Sequence, residues 1–333
     1  MGHRRVSAPH RSSLGYRRVR ARRIVPSPRA WPEHDGSSKL MGFLGFKAGM
    51  THCVYVVDRP RSHLVNREVT VPVTVVETPP MVVFGLRGYD KTPYGLEIIA
   101  DLRTLERKDE LERKVKTPKN YDFEKTKKIF EEKLDEIDEL RAIVHTQPHL
   151  TGIGMKTPSI AEIKIGYKSI NEGYEYGLSL LGKEVLIRDV FKPGEFVDSI
   201  GVTKGKGFQG PVKRHGVKIL QHKSKGTKRG VGSIGPWTPG RTMWTIPRYG
   251  QMGFNARTEY NKRIMQIGSD GVEIVPKGGF VNYGLVKNNY VLLKGSIPGS
   301  KKRTVMLREP MRKAPQPEKE PRILYISTES QQG

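Results

Sequence analysis

Apolar and small residues alternate from Leu40 to Val57 around Gly42, Gly45 and Gly49, a pattern that predicts short strands joined by tight turns. Val69 to Val76 is rich in β-branched side chains and reads as a strand, with Pro72 marking an edge or a bulge because it cannot donate to a ladder. Beyond Thr78-Pro79-Pro80 another short strand is expected from Met81 to Leu86, and the three segments together imply a small barrel or sandwich. The period then changes. From Asp122 to Val144, the residues Phe123, Phe130, Leu134, Ile137 and Leu140 recur at helical spacing with Glu and Lys between them. This predicts one amphipathic helix whose acidic face is solvated and binds nothing.

Strand-like segments return at Glu184 to Val190, Val197 to Val202, Val272 to Val275, Phe280 to Leu285 and Asn289 to Leu293, each bounded by Gly, Pro or Asn. Between Lys204 and Ile267 lies a Gly- and Lys-rich passage of little periodicity, too long for an ordinary loop and therefore expected to be functional. Pro310 to Glu320, with Pro310, Pro315 and Pro317, reads as an extended linker before a last strand at Ile323 to Ile326. The chain has no internal repeat.

Charge sharpens this picture. The 333 residues carry 59 Lys and Arg against 34 Asp and Glu, a formal charge of +25 and a pI near 10.0. Such an excess favours a polyanionic partner, and its distribution decides which kind. Residues 1–30 contain nine Arg and no acid, and residues 204–263 contain 14 Lys or Arg with Glu259 as the sole acid. Residues 82–148, by contrast, balance 14 basic against 15 acidic side chains. Two cationic arms thus flank a nearly neutral body. The first arm has too few apolar residues to order by itself. A transit peptide shares its Arg-rich composition, but no amphipathic period supports that reading, and the arm reads better as an extension that folds against phosphates.

No membrane partner is expected, because the most apolar stretch, Val69 to Leu86, is broken by Pro72, Glu77, Pro79 and Pro80. A secretory signal is not expected either, and Val6 stands where a myristoylation motif needs Ser or Thr. Cys53 is the single cysteine, so neither an intrachain disulfide nor a Cys cluster for zinc is expected, and a reducing compartment fits.

Gly205-Lys206-Gly207-Phe208-Gln209-Gly210 spells GxGxxG, yet Pro211, Lys213, Arg214 and Gly216 follow without an apolar helical face, so a dinucleotide turn is rejected. No HExxH, GxSxG or GxxxxGK[ST] occurs, and the nine His residues show no ligand spacing beyond His145 and His149, which Pro148 interrupts. No cofactor, metal or small-molecule substrate is expected. The long loop reads differently: 14 cations within residues 204–263, Gly between them, and Phe208, Trp237, Trp244, Tyr249, Phe254 and Tyr260 interleaved. Gly lets backbone approach phosphates, cations replace counterions, and flat rings stack on unpaired bases. Trp237 lies in Gly235-Pro236-Trp237-Thr238-Pro239-Gly240, a turn whose tip is a contact residue; Trp244, between Met243 and Ile246, fits packing and contact equally.

Phe191, Asp198, Gly201, Thr203, Gly205, Lys206, Gly207, Gly210 and Arg214 resemble the signature of the ribosomal protein uL3 (L3) family. Phe43 to Thr51, Ala8-Pro9-His10 with Leu14-Gly15, Gly278 to Gly284 and Gly295 to Gly299 are similar to its archaeal and eukaryotic branch. The resemblance implies a mainly β fold with an α+β insertion, namely a translation-factor-like six-stranded β-barrel with long basic extensions. It divides the chain into a basic extension (1–38), barrel segments (39–86, 184–203, 268–309), an inserted α/β lobe (87–183), an rRNA-penetrating loop (204–267) and a tail (310–333). It implies a non-enzymatic role in the cytoplasmic large ribosomal subunit: binding the 3′-terminal domain of 23S-type rRNA early in assembly, with the loop tip at Trp237 near the peptidyl transferase centre. Ribosomal proteins uL14 and eL24 are the implied neighbours. An RNA-modifying enzyme is the alternative, and a translation factor sharing the barrel is a second rival that lacks its nucleotide loop.

The expected rRNA-binding residues in the first arm are Arg4, Arg5, Arg11, Arg17, Arg18, Arg20, Arg22 and Arg23. In the loop they are Lys204, Lys206, Gly207, Phe208, Lys213, Arg214, His215, Lys218, Lys223, Lys225, Lys228, Arg229, Trp237, Arg241, Trp244, Arg248, Arg257, Lys262 and Arg263. Lys47, Lys301, Lys302 and Arg303 complete the set. Lys225 stands where eukaryotic relatives carry a methylatable His, so that modification is not expected.

Overall fold

The computed structural model describes residues 19–25, 27–28, 30–34, 36–59, 62–104, 109–116, 121–224, 226–312 and 320–332. Contacts divide the chain into two units: Met1–Arg22 with Val202–Ala256, and Arg23–Gly201 with Arg257–Gly333. The second unit is the body. It begins with β1 (Lys39–Leu40), β2 (Gly42–Val56), β3 (Glu68–Glu77), β4 (Met81–Thr92) and β5 (Gly95–Arg103). Then come α1 (Asp109–Glu112), α2 (Phe123–Glu132), β6 (Glu139–His145), β7 (Ile160–Gly166), α3 (Ile170–Leu180), β8 (Glu184–Val185), α4 (Ile187–Val190) and β9 (Phe196–Val202). The other unit holds β10 (Phe208–Gln209), α5 (Pro211–His215) and β11 (Gly250–Gln251). Strand β12 (Ala256–Gly268) returns the chain to the body, which ends with β13 (Tyr290–Lys294), β14 (Thr304–Arg308) and β15 (Ile323–Ile326).

The fold is mainly β, in several sheets. One sheet runs β14-β9-β12-β13-β3-β2-β15, and β14 pairs with β2 as well as β9, so six strands are joined pairwise in a ring. Both faces of these strands are buried where the ring is packed. Val75, Met265 and Leu292 enter one apolar cluster while their neighbours Val76, Ile264, Val291 and Leu293 enter another, the alternation that the two-residue period of a strand dictates.

Gly42, Gly45 and Gly49 do not turn the chain, as the sequence suggests; they lie within one long strand. A Cβ on Gly45 would stand 2.6 Å from Val76, and one on Gly49 2.4 Å from the Phe280 ring, so the glycines are sites of close approach. Pro72 sits inside β3 opposite His52, one residue before pairing with β13 begins at Val73, so its missing N–H costs no ladder bond there.

A buried ion pair fastens the ring. Asp198, fully buried on β9, accepts from Arg308 Nη2 at 2.7 Å, from Asn261 N at 3.0 Å and from Met311 N at 3.1 Å. Arg308 also donates to the Ala30 carbonyl at 2.5 Å, so one carboxylate and one guanidinium tie together three strands and two flanking segments.

The second sheet runs β1-β7-β6-β4-β5 with β8 beside β4. Helices α2 and α3 contact it and each other, with Phe130 stacked on Tyr174 at 5.3 Å. An ionic ladder crosses β5, β4, β6 and β7: Arg87 grips Asp101 at 2.5 and 2.6 Å and Glu162 at 2.6 Å, and Arg141 joins Glu139 at 2.7 Å to Glu162 at 3.3 Å. The predicted helix from Asp122 to Val144 is half right. Asp122 caps α2 by accepting from Lys125 N at 3.1 Å, but the helix stops at Glu132, and Glu139–His145 is a central strand buried at every position. Ile143 and Val144 have the β-branched side chains that such a strand accommodates.

Other expectations fail for local reasons. Val272 to Val275 lies in a 3-10 turn, Gly271–Ile274, capped by Asp270 accepting from Val272 N at 2.9 Å. Phe280 to Leu285 is a tight turn, since Gly279, Asn282 and Gly284 have φ of 79°, 62° and 101°, values a strand does not allow. Glu184 to Val190 is a two-residue strand followed by α4. Strands β5, β7 and β14, helix α3 and the body part of β12 were not legible from the pattern. Most of the Pro310 to Glu320 linker lies outside the described residues. No helix among the described residues is long and apolar enough to cross a membrane.

Two consequences are measurable. Burial pushes the Cys53 thiol up to about 11, so in the native protein at pH 8 it should resist iodoacetamide and become reactive only on unfolding. Labelling of the folded chain at the rate of a free thiol would mean this core is open. Asp198→Ala strands the buried Arg308 charge and should cost about 3–5 kcal/mol in denaturant unfolding; a loss below about 1 kcal/mol would remove the pair from its structural role.

Candidate nucleic-acid interface

Residues 202–256 contain eleven Lys or Arg and no Asp or Glu. Short polar contacts shape the base of this loop. Thr203 N donates to the Asn255 carbonyl at 2.9 Å, Asn255 N returns a bond to Thr203 Oγ1 at 3.2 Å, and the buried Asn255 amide donates to the Val19 carbonyl at 2.7 Å. Ala21 N bonds the Phe254 carbonyl at 2.7 Å, and the Arg20 guanidinium lies 5.6 Å from the Phe254 ring, so the first arm reaches the loop base through residues 19–21. Gly253, at φ 69°, is required there because a Cβ would stand 2.0 Å from the Lys204 carbonyl.

Farther along, β10 pairs with β11 through Phe208↔Gln251 and Gln209↔Gly250, and Phe208 and Tyr249 bring their rings to 5.3 Å. A five-residue helix, α5, does begin after the GxGxxG match, with Pro211 at its first turn, and Gly216 closes it at φ 72°. The strand before it is two residues long and antiparallel to its partner, so the βαβ context of a dinucleotide turn is not built. Arg214 braces the loop: Nε donates to the Gln251 carbonyl at 3.1 Å and Nη1 to the Arg248 carbonyl at 2.9 Å.

Among the described residues, the remaining cations of this unit point outward. Lys204, Lys206, Lys213, Lys218, Lys223, Lys228, Arg229, Arg241 and Arg248 are exposed, as are Gly207, Arg20 and Arg22. So are the large rings: Trp237 is 96% exposed, Trp244 74%, Phe208 71% and Tyr249 61%. Trp244 is therefore not a packing residue, which decides between the two roles its sequence allows. Four flat rings among eleven cations on an acid-free loop form a surface suited to a phosphate backbone with unpaired bases.

Several expected binding residues have other work. Lys47 is buried and donates to the Ile297 carbonyl at 2.7 Å, so its charge is spent on a turn of the body. Arg263 is buried in a bidentate bridge to Asp58, one bond being 2.6 Å, and that bridge holds the Asp58 carboxyl below its usual range. His215 is buried, Lys262 pairs with Glu259 at 2.6 Å, and Lys301 donates to the Val281 carbonyl at 2.6 Å. Arg257 and Arg303 are half-buried, and desolvation lowers the Arg303 guanidinium from its ordinary value. Lys302 is exposed, and Arg23 is exposed at the rim of a body cavity lined also by Phe84, Arg87, Arg103 and Glu162. Arg4, Arg5, Arg11, Arg17, Arg18 and Lys225 lie outside the described residues. The sequence singles out Thr203 only as part of the family signature, and it gives no sign of Gln251 and Asn255, whose bracing role rests on backbone partners that leave no local signal.

A sequence model described as ribosomal protein L3 matches residues 1–333. The large ribosomal subunit protein uL3 of Methanococcus aeolicus is 50% identical over 328 residues, covering 98% of both chains. The proteins of the same name from Methanosphaera stadtmanae and Methanocaldococcus jannaschii are each 48% identical, again over 98% of both chains. The family is a structural component of the ribosome and not an enzyme. An acid-free cationic loop, a mainly β body and similarity along the full length converge, and the chain belongs to the ribosomal protein uL3 family.

Proposed function

We propose that this chain is a structural constituent of the cytoplasmic large ribosomal subunit that binds 23S-type rRNA through its acid-free loop and the adjoining first arm. The carrying observation is the segregation of charge: exposed cations and rings occupy residues 202–256 without a single carboxylate, while the body pairs many of its own charges. Phosphate neutralisation by such a loop releases counterions and offsets the self-repulsion of the free protein. RNA modification, the rival reading, has no support in a family that is structural.

Finer features belong to the same proposal. The ring of six paired strands is taken as a barrel of the translation-factor type, with 39–86, 184–203 and 268–309 as its segments, 87–183 as the inserted lobe and 204–267 as the rRNA-penetrating loop. The body engages the 3′-terminal rRNA domain early in assembly, Trp237 lies near the peptidyl transferase centre, and uL14 and eL24 are neighbours. The exposure of Trp237 and the family resemblance support this arrangement.

Replacing Lys204, Lys206, Lys213 and Lys218 with Gln should lower the slope of log affinity for rRNA against log salt by roughly one per phosphate contact removed. A slope equal to that of the parent protein would exclude the loop as the phosphate binder. Trp237→Ala should leave the unfolding midpoint within about 0.5 kcal/mol, as expected of an exposed side chain, while slowing peptidyl transfer by subunits that contain it. Loss of folding in that variant would instead make Trp237 a packing residue.

A further inference from the structure

The inserted lobe ends in an open strand edge. Strand β5 is the last strand of its sheet, and the β4–β5 hairpin turns through Pro93 and the fully exposed Tyr94, with Thr92 Oγ1 donating to the Gly95 carbonyl at 2.8 Å. The two ends of β5 are finished differently. Near its C-terminus the outer N–H of Arg103 donates to Tyr121 Oη at 2.9 Å, while among the described residues nothing bonds the outer edge from Leu96 to Ile99. Leu96 and Ile98 are 40% and 50% exposed along that open edge. A bare edge with apolar side chains invites another strand, and proteins usually blunt such edges with charge, proline or a covering element.

Charge on the hairpin points to the nature of the added strand. Asp90 stands directly opposite Glu97 in the β4–β5 register, and like charges at that position destabilise a sheet. Among the described residues neither forms an ion pair. The exposed carboxylates of Asp135, Glu136 and Asp138 follow close by, and Asp138 accepts from Lys91 N at 2.9 Å on the same hairpin. Carboxylates here outnumber the exposed cations Lys91 and Lys133, so the surface that suits an extended polypeptide also favours a cationic one.

We infer that the Gly95–Ile99 half of β5 is a docking edge for an extended Lys- and Arg-rich segment of a neighbouring protein in the large subunit. The segment adds a strand beside β5, covers Leu96 and Ile98, and sets its cations against Asp90 and Glu97. This rests on the ribosomal reading proposed above and names a protein-binding surface opposite in character to the RNA-binding loop.

The test uses large subunits assembled with the full chain carrying photoreactive benzoylphenylalanine in place of Tyr94, and in a separate preparation in place of Trp237. Irradiation should join the Tyr94 probe to one Lys- and Arg-rich protein segment. The pair Asp90→Lys and Glu97→Lys should reduce that yield by about tenfold or more, and the milder Asp90→Asn with Glu97→Gln by less, while the Trp237 probe still reaches rRNA. Capture of rRNA or of a neutral or acidic segment by the Tyr94 probe, no adduct in subunits whose Trp237 probe reacts, or a yield indifferent to charge reversal would each overturn the docking edge. A chain that fails to enter subunits, or a Trp237 probe that never reaches rRNA, would overturn the ribosomal reading instead, so the two failures are distinct.

Discussion

The bond between Asp198 and Arg308 is the constraint on which the rest of the body depends. Both side chains are removed from water, and each charge is tolerable only because the other is there with further polar partners. The pair joins β9 to β14 and, through Asn261, to β12; strands β9 and β12 are the two that run on in sequence into the cationic loop. Removing either partner of such a pair leaves a stranded buried charge, so the two must be present together. The strands that lead into the loop are therefore fastened by chemistry internal to the body.

Free and spent cations are the organising contrast of this protein. In the body, Arg87, Arg141 and Arg263 are each gripped by carboxylates, and Lys47 and Lys301 by backbone carbonyls, so their charges are screened before any ligand arrives. Between residues 202 and 256 there is no carboxylate to do the same, and the one arginine spent internally, Arg214, is bound by neutral carbonyls that leave its charge uncompensated. Field strength follows composition locally, which explains how a chain of moderate local charge in its body presents a strongly positive loop.

The local character of a segment could be read from the sequence: where β-branched residues alternate, where a helical period begins, where cations gather without acids, and which ring lies at a turn tip. Those properties depend on neighbours a few positions away, and the strands around Val69, Val197, Tyr290 and Ile323, the start of α2 and the exposure of Trp237 agree with them. Full-length similarity rests on the same linear information.

Tertiary structure decided what those local properties could not. Glu139 to His145 carries the tail of a helical period yet is a strand, because β4 and β7 on either side satisfy its backbone while Leu140, Ala142 and Val144 enter one apolar cluster and Ile143 another. Gly45 and Gly49 look like turns and serve as contact points for Val76 and Phe280. Lys47 meets its carbonyl acceptor 250 residues away and Arg263 its carboxylate 205 residues away, so whether a cation is free for RNA or consumed in the core is fixed by long-range packing. The sequence by itself determined how much positive charge there is and where along the chain it lies. Only the fold decided which of those charges remain unpaired, since pairing depends on distance in space and not on order in the chain.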